Sequence, residues 1–189
     1  MKLRTLIALT VFLTFLSCKK ESDKTTSKTD STVTEAEIEV DKDLLKVSFD
    51  LIIKKDDNLH LYYTEDGTIN FNEKQSLWIP VKGSENTQNI TFKLPKDVLP
   101  TALRVDFGFG KNIEQSDVEL KTFSLKYYDK KVEASGVEIL NYFYPMKENT
   151  EIIPGTSTLK RLSKDQESGP ILYPQILLSE KIQEITKGN

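Results

Sequence analysis

This chain has almost no cysteine or histidine. Of 189 residues, one is Cys (Cys18) and one is His (His60). A single cysteine permits no intrachain disulfide and no zinc site built on thiolates. With one imidazole, a metal centre would have to consist mostly of carboxylates, so neither a metal nor another cofactor is expected. As a general base, His60 would need a nucleophile and an orienting acid assembled from elsewhere in the fold. The phosphate-binding loop, the dinucleotide fingerprint and the Gly-x-Ser-x-Gly elbow are all missing. No fixed-period repeat is present, which argues against a propeller or solenoid. A basic stripe is missing too. The formal net charge is -3, and bases alternate with acids, as in Lys54-Lys55-Asp56-Asp57, which reads as a solvated surface rather than a nucleic-acid face.

What is present suits one domain with extensions: 38% of residues are hydrophobic and 29% charged. The one long apolar run is N-terminal. Lys2 and Arg4 precede residues 6–16, a stretch shorter than the roughly 20 residues a membrane-spanning helix needs, so it reads as an export leader. It ends Phe15-Leu16-Ser17-Cys18, which resembles the lipobox of bacterial lipoproteins. That resemblance implies removal of residues 1–17 as a signal peptide, followed by lipidation of the Cys18 thiol and acylation of its amine. Each buried methylene contributes about 0.8 kcal/mol and one chain anchors only marginally, so several chains on one residue make attachment stable. Residues 18–34 have almost no apolar side chain to offset the entropy of ordering and are expected to form a flexible tether. Within them, Lys20-Glu21-Ser22-Asp23 is similar to the surface-export signals of Bacteroidota lipoproteins. Asp30-Ser31-Thr32 resembles a short motif that the same phylum O-glycosylates.

The body is patterned for strands. Val47, Phe49, Leu51 and Ile53 alternate onto one face of residues 45–54, and Ile38 and Val40 suggest a shorter edge strand before them. Leu59, Leu61 and Tyr63 resume the inward face, followed by Leu77, Ile79 and Val81, where Pro80 marks a sheet edge. Ile90, Phe92 and Leu94 come next, then Leu103, Val105 and Phe107. Arg104 and Asp106 share the opposite face as an exposed pair, and Gly108-Phe109-Gly110 breaks the run. In residues 118–128 the phase changes from Val118 and Leu120 to Phe123, Leu125 and Tyr127, which predicts a bulge near Thr122 or a bend serving two sheets. Val137, Ile139 and Phe143 predict a further strand, whose other face, with Leu140, Tyr142 and Tyr144, is also apolar. The fold expected is all-β: an antiparallel two-sheet sandwich of jelly-roll type over residues 35–145. Residues 146–189 are expected as a loop and a short C-terminal helix. Pro174 opens that helix, and its Leu178, Ile182 and Ile185 stripe either docks on the sandwich or takes a partner.

The chemistry-bearing candidates are few. His60 lies on the face away from the main core and is expected as a half-exposed structural histidine. Trp78 lies opposite Leu77, Ile79 and Val81, where a sandwich usually presents polar residues, and Tyr62 has the same phase. An exposed aromatic on a flat sheet can stack on a sugar ring while nearby polar side chains bind hydroxyls. The other reading is that a tail segment covers both rings as a second small core. A calcium ion in the loops at Asp56-Asp57-Asn58 or at Glu114 to Asp117 has only its oxygen ligands in favour and no EF-hand spacing.

The runs Leu61-Tyr62-Tyr63-Thr64, Gln75-Ser76, Phe92-Lys93-Leu94-Pro95 and Leu103-Arg104-Val105-Asp106-Phe107-Gly108 look similar to jelly-roll, galactose-binding-like modules of Bacteroidota envelope proteins. The resemblance covers about half of the chain and implies a fold and a compartment, with no ligand residue carried over. The resulting expectation is a non-enzymatic lipoprotein, lipid-anchored through Cys18, most simply at the outer membrane on an undecided face. It would bind a glycan or an envelope component through its sandwich. The rival is a structural or assembly lipoprotein that docks a protein partner. A small glycan-active enzyme with paired carboxylates stands third.

Overall fold

The computed structural model describes residues 41–112 and 114–188. The expectations for the leader, Cys18, the tether and an edge strand at Ile38 and Val40 lie outside them. Among the described residues there are eleven strands: β1 (Lys46–Ile53), β2 (Asp57–Thr64), β3 (Ser76–Val81), β4 (Gln88–Lys93), β5 (Ala102–Phe107), β6 (Val118–Tyr127), β7 (Lys130–Ser135), β8 (Phe143–Pro145), β9 (Thr150–Ile152), β10 (Thr158–Arg161) and β11 (Ile171–Pro174). One helix follows, α1 (Ile176–Thr186). Among the described residues no helix is long and apolar enough to cross a membrane.

The strands make two antiparallel sheets. The first runs β4-β1-β6-β10-β9, with β7 also on β6, and the second runs β3-β2-β5-β11-β8. The winding explains both orders. β2 and β3 pair in one sheet while β1 and β4 pair in the other, as one long hairpin folded over. β5 and β6 are added beside β2 and β1, then β11 and β10, then β8 and β9, each step giving one strand to each sheet. This is the rolled winding of a jelly-roll sandwich.

The inner faces interdigitate around aromatic rings. Phe49 is fully buried, with ring centroids of Phe123, Phe107 and Phe143 at 5.3, 5.9 and 6.2 Å. The phase change in β6 is a register shift: Asp50 pairs with Thr122 but Leu51 pairs with Leu120, so Lys121 is the extra residue. That single insertion lets Leu120 and Phe123 both point into the core.

Three expectations are corrected. The sandwich does not stop at 145, because β9, β10 and β11 are built from residues 146–189 and lie in both sheets. Residues 136–141 are not a strand but a 3-10 turn in which Ile139 alone is buried, and Phe143 belongs to the three-residue β8. Pro174 ends β11 instead of opening the helix, whose first residue is Ile176. The apolar stripe of α1 is used internally: Leu178, Ile182 and Ile185 are buried in the main core.

Candidate functional site

The outward side chains of the five-stranded sheet fall into two rows running across the strands. Pairing of β3, β2 and β5 puts Trp78, His60 and Asp106 side by side, and Ser76, Tyr62 and Arg104 two residues further along. The register of β11 on β5, and of β8 on β11, continues the second row through Tyr173 to Tyr144.

In the first row, the Trp78 indole stacks on the His60 ring, with centroids 3.6 Å apart and planes 19° from parallel. Phe109, from the loop after β5, meets the indole at 5.3 Å and 87°. Trp78 is 43% exposed and Phe109 68% exposed, so the two rings form an open apolar corner. The position of Phe109 depends on Gly108. Its φ is +103°, and a Cβ there would stand 1.7 Å from Gln115 Nε2. That Gln115 amide donates to Asp57 Oδ2 at 2.5 Å and to the Phe107 carbonyl at 2.7 Å, tying the loop back onto β2 and β5.

His60 is only 2% exposed, which corrects the half-exposed expectation. It does face away from the main core, but Trp78 and Tyr62 cover it. Burial lowers its pKa from the usual 6.5 to about 4; Glu73 pulls the other way and the Arg104 charge adds to the lowering. Its Nε2 has no hydrogen-bond partner among the described residues, and Glu73 Oε2 is 3.6 Å away.

In the second row, Arg104 donates to both Asp106 oxygens, Nε to Oδ1 at 2.7 Å and Nη2 to Oδ2 at 2.6 Å. The pair was expected exposed, but both side chains are largely covered. Burial pushes the Asp106 carboxyl up, and the bonds from Arg104 only partly reverse this. Burial opposes the Arg104 charge, and Asp106 more than compensates. The guanidinium sits between two rings, 4.8 Å from the Tyr62 centroid and 5.2 Å from that of Tyr173.

The two aromatic candidates differ in access. Tyr62 is 9% exposed, and its hydroxyl donates to Glu73 Oε1 at 2.6 Å. Burial, with that carboxylate, raises its pKa and keeps the phenol protonated. The cover comes from the β2–β3 loop, which folds back over the sheet. Phe71 of that loop lies 6.4 Å from Tyr62 and 5.9 Å from Tyr173, centroid to centroid. Only Trp78 of the expected pair is presented to solvent. Phe109, Tyr144 and Tyr173 were not singled out as site residues in the sequence. The one local signal for any of them was the Gly-Phe-Gly turn, which holds an apolar side chain where no strand can bury it.

The carboxylates of the Asp56-Asp57-Asn58 loop are occupied by protein donors. Asp56 accepts from Lys82 Nζ at 2.5 Å and from the Gly83 amide at 2.9 Å, and Asp57 accepts from Gln115 and the Asn58 amide. Among the described residues no three His, Cys, Asp or Glu side chains are grouped to hold a metal ion. The arrangement offers an aromatic corner beside a buried, hydrogen-bonded polar cluster, the chemistry of a stacking surface with fixed polar neighbours. No protein-family model, no curated protein and no solved structure matches this chain.

Proposed function

We propose that this chain is a non-catalytic binding module of the bacterial cell envelope, lipid-anchored through Cys18, whose five-stranded sheet takes a glycan on its outer face. The observation that carries the reading is the open corner of Trp78 and Phe109. Two half-exposed rings at right angles offer apolar area to the C–H face of a sugar. Aromatic contacts of this kind contribute about 0.5–1.5 kcal/mol beyond the area they bury. The ring beneath supports the corner: His60, neutral at physiological pH, stacks on Trp78 and holds the indole upright. The rival reading docks a protein partner through the sandwich edge or the C-terminal helix, and the helix stripe is taken up internally, because Leu178, Ile182 and Ile185 are core residues.

Two measurements test the two halves of this proposal. For binding, Trp78→Ala is expected to weaken polysaccharide affinity about tenfold in calorimetry. Retention of full affinity would remove the corner from the site. For anchoring, Cys18→Ala is expected to move the protein from the membrane to the soluble fraction, since one or no acyl chain anchors only marginally. A variant that stays wholly in the membrane pellet would exclude the lipid anchor.

A further inference from the structure

The same sheet face carries a second aromatic platform at its opposite edge. Tyr144 of β8 is 42% exposed and stacks on Tyr173 of β11, with centroids 5.8 Å apart and planes 27° from parallel. Beside this pair lies an open depression of about 310 Å³ lined by Tyr144, Pro145, Met146, Lys147, Glu148 and Tyr173. In the order β3-β2-β5-β11-β8, Trp78 and Tyr144 are on the two outermost strands. Four strand spacings of about 4.8 Å put the platforms roughly 19 Å apart. Between them the β2–β3 loop crosses the face over the covered Arg104–Asp106 pair and presents Glu73, whose side chain is 70% exposed.

We propose that the occupant of this face is a carbohydrate chain of several sugar units lying across the strands. One end rests on Trp78 and Phe109; the other rests on Tyr144, where Lys147 and Glu148 reach its hydroxyls. This rests on the glycan reading above and adds the length and direction of the ligand. The layout selects this occupant over others. A protein partner buries one continuous apolar centre with a polar rim, whereas here the two platforms are separated by a loop that presents the exposed Glu73 carboxylate. A lipid tail needs an enclosed apolar cavity, and this depression is open. Its rim carries one cation and one anion, Lys147 and Glu148, so no net charge selects an acidic or basic polymer. A sugar chain repeats an apolar ring face and a hydroxyl edge along its length, which matches platform, polar band and platform.

Two contacts on one ligand make the second effectively intramolecular, so affinity must grow with chain length. The test titrates the full-length protein in detergent micelles with neutral cello-, xylo-, manno- and malto-oligosaccharides, from one sugar to about eight, by calorimetry. In at least one series, affinity is expected to rise about tenfold or more from the shortest binder to the longest and then level off. Tyr144→Ala is expected to flatten that rise. Lys147→Ala, an exposed loop substitution that should not disturb folding, is expected to reduce the rise in part. Binding that is independent of length, or a rise untouched by both variants, would overturn this inference and leave the glycan reading standing. No heat from any oligomer at any length would overturn both.

Discussion

Phe49→Ala is expected to cost about 3–5 kcal/mol of folding stability, a large share of the roughly 5–15 kcal/mol that a domain has. Phe49 is fully buried where the two sheets meet, and it touches rings from both: Phe123 from its own sheet, Phe107 and Phe143 from the other. Truncation removes the transfer free energy of the ring and leaves a cavity whose walls are strands fixed by ladders, on both sides for β5 and β6 and on one side for β8. They cannot collapse into it without breaking register. For a domain of this size the melting temperature should fall by roughly 6–20 °C. The control is Val137→Ala in the exposed 3-10 turn, expected within about 0.5 kcal/mol of the parent. Urea unfolding of the three proteins decides the matter. A Phe49→Ala cost under about 1 kcal/mol would mean that the sheets do not meet at this ring.

The second large effect is on acid stability, through His60. Its folded pKa of about 4 lies below the unfolded value of 6.5, chiefly because the ring is buried under Trp78 and Tyr62. Between those two values the unfolded chain binds the proton and the folded one does not. Stability therefore rises with pH across that window, is complete above it, and is lost as pH falls toward 4. The whole window is worth about 3 kcal/mol, of which about 2 should already be gone near pH 5. The charged neighbours divide: Glu73, 3.6 Å from Nε2, favours the proton, while Arg104 opposes it. Asp41, Asp56 and Asp66, whose folded pKa values are lowered mainly by hydrogen bonds, add a loss of the same sign at lower pH. Comparison with His60→Phe separates the terms, because that variant should lose the slope between about pH 6.5 and 5 and keep the acid limb. Since the chain has one histidine, its imidazole proton resonance gives the pKa directly. A midpoint near 6.5 would show that the ring is solvated and that the Trp78 stack is not formed.

Much of the fold was legible in the sequence, and the losses have physical causes. β1 and β5 bury one face against the core, so their alternation was readable. Even the bulge in β6 was visible, because one extra residue shifts a period-two pattern by a phase. β8 to β11 are three or four residues each, too short for any period to establish itself. β7 buries only Ala134, and its composition, Lys-Lys-Val-Glu-Ala-Ser, gives almost no apolar signal. The helix stripe was clear because three spaced apolar residues point one way.

The candidate site was legible in its face but not in its cover. Period two places Tyr62, His60 and Trp78 on the outer side of the sheet. It carries no information on whether a loop returns over that side, and the β2–β3 loop does so with Phe71 and Glu73. The Arg104–Asp106 pair was recognisable as two residues on one face. Its burial follows from Tyr62 and Tyr173 on flanking strands, one of which, β11, comes from nearly 70 residues later in the chain and was not foreseen.

The central claim is that Trp78 is a surface for stacking a sugar, and its own fluorescence is the most direct measurement of it. Trp78 is the single tryptophan of the chain, so the signal reports on that position alone. With 43% of the residue exposed, the free protein should emit toward the red, and a bound envelope polysaccharide should move the emission to the blue in a saturable way. Emission that is already blue, and unmoved by every polysaccharide up to saturating concentration, would contradict it.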